Sequence, residues 1–252
     1  MTSGPPITGK SDVNAAKLTA SNIVMAFGGL RALDGVDFSV PEGGAIGLLG
    51  QNGSGKTTLL NVITGHLTPQ SGQVTFNGRS MNNLSPNEFA KAGISRVFQT
   101  VQIFPRLTVM ENLYVARLGQ DNRLHLSEEE ALNTLSRMQL ANFADDLARD
   151  ISYGHQRLLE IAMALAAGAD LILLDEPTAG LGPALVESVV GCLRDLNAAG
   201  TSMVLIEHET EVVFRVCSQV WVLNEGRVIA CGTPTEIRSN QQVLDLYLGA
   251  AT

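Results

Sequence analysis

From Leu18 onward, apolar and polar positions alternate with a period near two. The pattern predicts strands over Asn22–Phe27 and Val36–Val40, closed by the turn Pro41-Glu42-Gly43-Gly44. Ile46-Gly47-Leu48-Leu49 is a short apolar run that enters a glycine-rich turn, and a helix is expected through Thr58-Leu59-Leu60-Asn61-Val62-Ile63. Gln73–Phe76 followed by Asn77-Gly78 predicts a hairpin. Three Ser/Thr-x-x-Glu boxes then open helices: Ser85 to Glu88 with Pro86 in the first turn, Thr108 to Glu111, and Ser127 to Glu130. Leu132, Leu135 and Met138 recur at helical spacing, so residues 85–155 are expected to form a helical subdomain inserted in the core.

Beyond this insertion the strand signal returns. Leu171–Leu174 is wholly apolar and ends on two carboxylates, as a strand buried on both faces does. Pro183 opens a helix whose Leu185, Val189, Cys192, Leu193 and Leu196 share one face, closed by Gly200; Met203–Ile206 is the next buried strand. Val220–Leu223 and Val228–Ala230 flank a turn at Asn224-Glu225-Gly226, and Thr233-Pro234-Thr235-Glu236 caps a helix. Apolar strands alternating with helices predict an α/β fold with a mostly parallel sheet covered on both faces, joined by an N-terminal antiparallel β subdomain. Residues 1–16, rich in Gly, Pro, Ser and Asn, are expected to be a mobile tail before one domain over 17–252.

Charge narrows the possible partners. The chain of 252 residues has net charge −8, and its lysines are only Lys10, Lys17, Lys56 and Lys91, so no basic surface for nucleic acid is expected. The apolar stretch Ile161–Ala169 falls well short of the ~20 residues that a bilayer requires. The first residues lack an apolar signal-peptide core. Cys192, Cys217 and Cys231 show no pairing pattern, which fits a reducing cytoplasm. His66, His125 and His155 have no metal-ligand spacing.

Candidate chemistry begins at Gly50-Gln51-Asn52-Gly53-Ser54-Gly55-Lys56-Thr57, which fits the P-loop pattern G-x-x-x-x-G-K-[ST]. Glycines at these positions let backbone N–H groups turn inward around phosphate oxygens, and the following helix adds its positive end. Lys56 is expected to reach the β- and γ-phosphates of a nucleotide, and the Thr57 hydroxyl to ligate Mg²⁺. Asp175 and Glu176 end the apolar run and suit the remaining roles: Asp175 for Mg²⁺ through water, Glu176 to position and polarise the attacking water.

With these residues in place, the chain resembles the nucleotide-binding subunits of ABC transporters from about Leu18 to Gly249. Ile151-Ser152-Tyr153-Gly154-His155-Gln156-Arg157 resembles the family signature, Arg96-Val97-Phe98-Gln99 the Q-loop, Ile206-Glu207-His208 the switch histidine, and Ala179-Gly180-Leu181-Gly182 the D-loop. The resemblance implies a P-loop ATPase. Its nucleotide would be held by Gly50, Gln51, Asn52, Gly53, Ser54, Gly55, Lys56, Thr57 and Thr58, with Phe27 stacking on adenine and Gln99 joining Thr57 and Asp175 around Mg²⁺. Glu176, His208 and Gln99 would be the catalytic set. Ser152, Tyr153, Gly154 and His155 would act on ATP held by a second ATPase subunit of the same or a different sequence.

The chain departs from the family pattern at two positions. His155 stands for the usual glutamine of the signature, and Gly182 for the D-loop aspartate that organises contacts across the dimer. Membrane permease subunits and, for an importer, a secreted binding protein are the implied partners, at the cytoplasmic face of the membrane. The apolar Val101, Ile103 and Phe104 are either helical core or part of a groove for the permease. Phe27–Leu33, Ser152-Tyr153-Gly154 and the tail from Gly232 to Gly249 resemble branched-chain amino-acid importer subunits. Importers of urea and short amides, lipopolysaccharide-type exporters and soluble ABC ATPases remain alternatives.

Overall fold

The computed structural model describes residues 16–119 and 125–248. The expected tail, apart from Ala16, and Gly249 lie outside the described residues. Strands β1 (Ala16–Phe27) and β2 (Leu30–Pro41) pair antiparallel and turn at Gly28 and Gly29, where Gly28 takes φ 57°. After β3 (Ala45–Leu49) and helix α1 (Lys56–Ile63), the chain returns to that sheet as β4 (Ser71–Phe76) and β5 (Arg79–Ser80). The first sheet has the order β2-β1-β4-β5.

Helix α2 (Pro86–Lys91) starts from the Ser85 capping box and leads into β6 (Ile94–Val97). Next come α3 (Val109–Leu118), α4 (Glu128–Arg137), a 3₁₀ turn at Ala141–Phe143 and α5 (Tyr153–Ala166). Strand β7 (Leu171–Asp175), α6 (Pro183–Ala198), β8 (Ser202–Ile206), α7 (Thr210–Val216), β9 (Gln219–Asn224) and β10 (Arg227–Gly232) complete the core. Helices α8 (Pro234–Ser239) and α9 (Gln241–Leu248) follow.

The second sheet has the order β10-β9-β3-β8-β7-β6, parallel except for β10. This moves one boundary. The helical region expected over 85–155 begins beyond Val97, because Ile94–Val97 pairs in parallel with Leu171–Leu174 and so belongs to the main sheet. Four residues that include Ser95 and Arg96 carry little strand signal of their own; their partner lies far along the chain.

Alternation along the inner strands feeds two cores. Ile46, Leu48, Leu171, Leu173, Val204 and Ile206 face the antiparallel sheet, α1 and α2. Ala45, Leu49, Ile172, Leu174, Met203 and Leu205 face the helical side. These strands are apolar throughout because neither face meets water. Gly47 marks the closest packing: a Cβ there would lie 2.2 Å from Val213 Cγ1 and 3.3 Å from Val220 Cγ2. Gly47→Ala is therefore expected to destabilise the fold by about 1–3 kcal/mol through overpacking, measured as a lower urea midpoint at unchanged slope. A midpoint equal to wild type would contradict this packing. Among the described residues no helix is long and apolar enough to cross a membrane.

Candidate active site

The loop after β3 turns sharply because its glycines permit it. A Cβ on Gly50 would lie 2.3 Å from the Leu223 carbonyl oxygen, and one on Gly55, at φ 109°, would lie 2.6 Å from that of Ala32. The loop therefore presses on backbone from two other segments, and α1 starts at once with Lys56. Lys56 Nζ donates to the carbonyls of Gly50 (2.6 Å) and Gln51 (2.9 Å), which fixes the loop around the ammonium. Burial pulls the Lys56 pKa down, and the carboxylates of Glu176 and Asp175 oppose that shift. Ser54 Oγ is buried in the loop with no protein partner.

A cleft of about 750 Å³ opens here, lined by Asn52, Gly53, Gly55, Lys56, Thr57 and Thr58 from the loop and α1. Asp175, Glu176 and His208 line its other side, with Gly29 to Ala32 from the β1–β2 hairpin at one edge. Two consecutive strand residues normally point to opposite faces, yet Asp175 and Glu176 line the same cleft. The reason lies in the backbone: Glu176 has φ 52°, in the left-handed region, and its N–H bonds the Ile206 carbonyl at 2.9 Å. That conformation costs about 1–2 kcal/mol for a residue with a side chain and turns the carboxylate inward.

The Glu176 carboxylate is held at both oxygens. His208 Nε2 lies 2.8 Å from Oε1, and Gln99 Nε2 donates to Oε2 at 2.9 Å. Asp175 Oδ2 accepts from Arg96 at 2.7 Å, while the same guanidinium donates to Asn61 Oδ1 of α1 at 2.6 Å and lies 4.7 Å over the Phe98 ring. Glu207, buried beside His208, accepts from the Thr178 N–H (2.8 Å) and hydroxyl (2.7 Å); burial pushes its carboxyl up.

Other expected residues stand apart from the cleft. The Gln51 side chain donates to the Leu246 carbonyl of α9 at 2.6 Å. Phe27 ends β1 and is 48% exposed, two residues before Gly29, so it is not core. Ser152 caps α5 and its hydroxyl accepts from the His155 N–H at 3.3 Å. Tyr153 is exposed, the His155 ring packs 4.6 Å from that of Phe143, and Gly154 abuts Leu185 of α6, which a Cβ would meet at 2.7 Å. Gly182 caps α6 with extended backbone. Phe104 is exposed, while Ile103 packs against the helical-side core. On α9 Val243 is buried.

Sequence reasoning passed over Arg96, Arg157, Glu160 and Glu207. Arg157 is fully buried, 2.8 Å from Glu160, whose carboxyl burial raises while the Gln102 N–H and Arg157 pull it back. An arginine and a glutamate three apart on the apolar side of α5 were the available signal.

A glycine-rich loop, one lysine and two inward carboxylates line one cleft, an arrangement chemically suited to phosphoryl transfer. The ABC transporter family pattern matches residues 33–179. The chain belongs to the ABC transporter ATP-binding family. A second pattern, the branched-chain amino acid ATP-binding cassette transporter, matches residues 227–252.

Among relatives of this ABC cassette, the high-affinity branched-chain amino acid transport ATP-binding protein LivG of Salmonella typhimurium is 35% identical, covering 93% of this chain and 98% of that protein. The corresponding BraF of Pseudomonas aeruginosa is also 35% identical, with the same coverage. An ABC transporter cassette crystallised in its ADP conformation superposes with TM-score 0.83 at 34% identity, over 93% of this chain and 99% of that one. A dimeric cassette in a post-hydrolysis state with ADP and Pi gives TM-score 0.74 at 29% identity, over 86% and 98%. Like its family, this cassette is an ATPase that energises transport.

Proposed function

We propose that this ABC cassette hydrolyses ATP to drive import of branched-chain amino acids or closely related small amides. The observation that carries the catalytic part is the gathering of Lys56, Asp175, Glu176 and His208 on one cleft, with Gln99 fixed to Glu176. Loop N–H groups and Lys56 bind the β- and γ-phosphates. Phe27, exposed at the end of β1 two residues before the cleft-lining Gly29, stacks on adenine. Glu176 accepts a hydrogen bond from the attacking water, and His208 and Gln99 hold its carboxylate in line. The orphaned Ser54 hydroxyl and the close-packed glycines of the loop suit a bound polyphosphate.

The donor set around Thr57 also fits Mg²⁺: a hydroxyl, the Asp175 carboxylate and the side-chain amide oxygen of Gln99 are hard oxygen donors. When bound, the ion neutralises charge on the β- and γ-phosphates. Asp175, now bonded to Arg96, would serve the ion through water.

Ser152, Tyr153, Gly154 and His155 serve the ATP of a second cassette, since they open a helix whose first residues, Ser152 and Tyr153, are exposed, and none of them lines this chain's own cleft. Dimeric relatives support that arrangement. Permease subunits bind the face around Val101 and Phe104 at the cytoplasmic side of the membrane, and a secreted binding protein delivers the cargo.

The cargo rests on the match over residues 227–252 and on the names of the relatives. It is tested by uptake of radiolabelled leucine, isoleucine, valine and urea in cells with and without the gene. Loss of uptake of the three amino acids is the expected result. Unchanged uptake of all four sinks the cargo while leaving the ATPase intact.

A further inference from the structure

Helix α5 begins at Ser152 and, one turn in, commits a full charge to the interior. Arg157 is 0% exposed. One arm of its guanidinium donates to the Phe98 carbonyl and to Glu160 Oε2 (2.8 Å); the other donates to the Gln99 carbonyl and reaches that of Glu176 at 3.5 Å. Glu160 Oε1 in turn accepts from the Gln102 N–H at 2.6 Å. The pair grips segment 98–102 by three backbone groups and touches the backbone of Glu176, whose side chain Gln99 already holds.

Apolar residues also bury helix α5, namely Leu158, Leu159, Ile161 and Ala162. A buried ion pair gives little or no net stability over well-packed apolar residues, and here Arg157 Nε has no partner at all. The pair does satisfy the carbonyls of Phe98 and Gln99, which lie past the end of β6 and beyond its ladder. Its geometry joins two functional segments that no other contact of α5 described above brings together.

We infer that Arg157, braced by Glu160, is a positioning residue that ties the Gln99–Glu176 end of this chain's own nucleotide site to the Ser152 helix that serves the partner's. The inference rests on the reading of Ser152 as acting across a dimer. Occupancy at one site then shifts the donor helix of the other, and the pair transmits the shift because a planar fork bound to two adjacent carbonyls cannot slide.

The test uses the purified full chain and the double variant Arg157→Met/Glu160→Leu, which removes both charges and strands neither. Because the carbonyls of Phe98 and Gln99 lose their donor, the expected result is a melting temperature lower by roughly 2–8 °C, wild-type Mg-ATP affinity, a kcat about tenfold lower, and a Hill coefficient for ATP that falls to about 1 from a wild-type value between about 1 and 2. If that variant does not fold, Arg157→Lys carries the test. It keeps the charge but cannot hold both carbonyls, so the Hill coefficient again falls.

A wild-type Hill coefficient and kcat in the double variant overturn the inference. So does retained cooperativity in Arg157→Lys, or a loss of ATP affinity equal to the loss of kcat, which marks a purely local role. Failure of the underlying dimer reading shows itself separately: wild-type specific activity is then independent of protein concentration, and mixed Ser152→Ala and Lys56→Ala chains do not restore one active site.

Discussion

Glu176→Gln is expected to bind Mg-ATP about as tightly as wild type while turning over about 10²–10⁴-fold more slowly. The amide keeps the size of the carboxylate but has one acceptor oxygen where Glu176 has two, and it has no charge with which to polarise water. Gln99 can still donate to that oxygen. His208 can present its unprotonated nitrogen to the new N–H, so both neighbours at 2.8–2.9 Å keep a partner and the fold stays intact. Bound ATP then persists and holds two chains together. Size-exclusion chromatography should show a nucleotide-dependent dimer, and phosphate release should be almost absent. Hydrolysis at the wild-type rate would remove Glu176 from the catalytic role.

Lys56→Ala strikes the other side of the cleft. The ammonium organises the loop through two carbonyls and supplies the fixed positive charge facing the phosphates. A charge-assisted hydrogen bond to a phosphate contributes about 1.5–3 kcal/mol, so affinity for Mg-ATP is expected to fall roughly 10- to 150-fold. The carbonyls of Gly50 and Gln51 lose their donor at the same time, so the real loss should lie at the upper end. Isothermal titration with a non-hydrolysable analogue measures it. An affinity within threefold of wild type would mean that the backbone N–H groups alone carry phosphate binding.

Local rules made much of this molecule readable. The boxes at Ser85, Thr108 and Ser127 open helices because each satisfies two orphan N–H groups within four residues. The run Leu171–Leu174 declares a doubly buried strand by composition alone. Non-local structure was harder to read. Strand β1 extends back to Ala16, but its alternation is broken by a register shift between Ala20 and Ile23, with Asn22 at φ 50°. Strand β6 is a strand only because β7 lies beside it.

Residue type alone singled out Lys56, Thr57, Asp175 and Glu176, which the fold brings to one cleft. The left-handed turn that aims Glu176 into the cleft is invisible in the sequence, since nothing about a glutamate announces a positive φ. Arg96 and Arg157 escaped because arginine is ordinarily a surface residue, and only the packed structure reveals what each one touches.

The phosphate loop is finished by residues made long after it. Gly50 lies against the Leu223 carbonyl, the Gly226 N–H bonds the Ser54 carbonyl at 2.9 Å, and Gln51 reaches Leu246, 195 residues further on. The walls of the cradle are therefore long-range: the loop takes its packed shape only once residues 223–246 have folded against it.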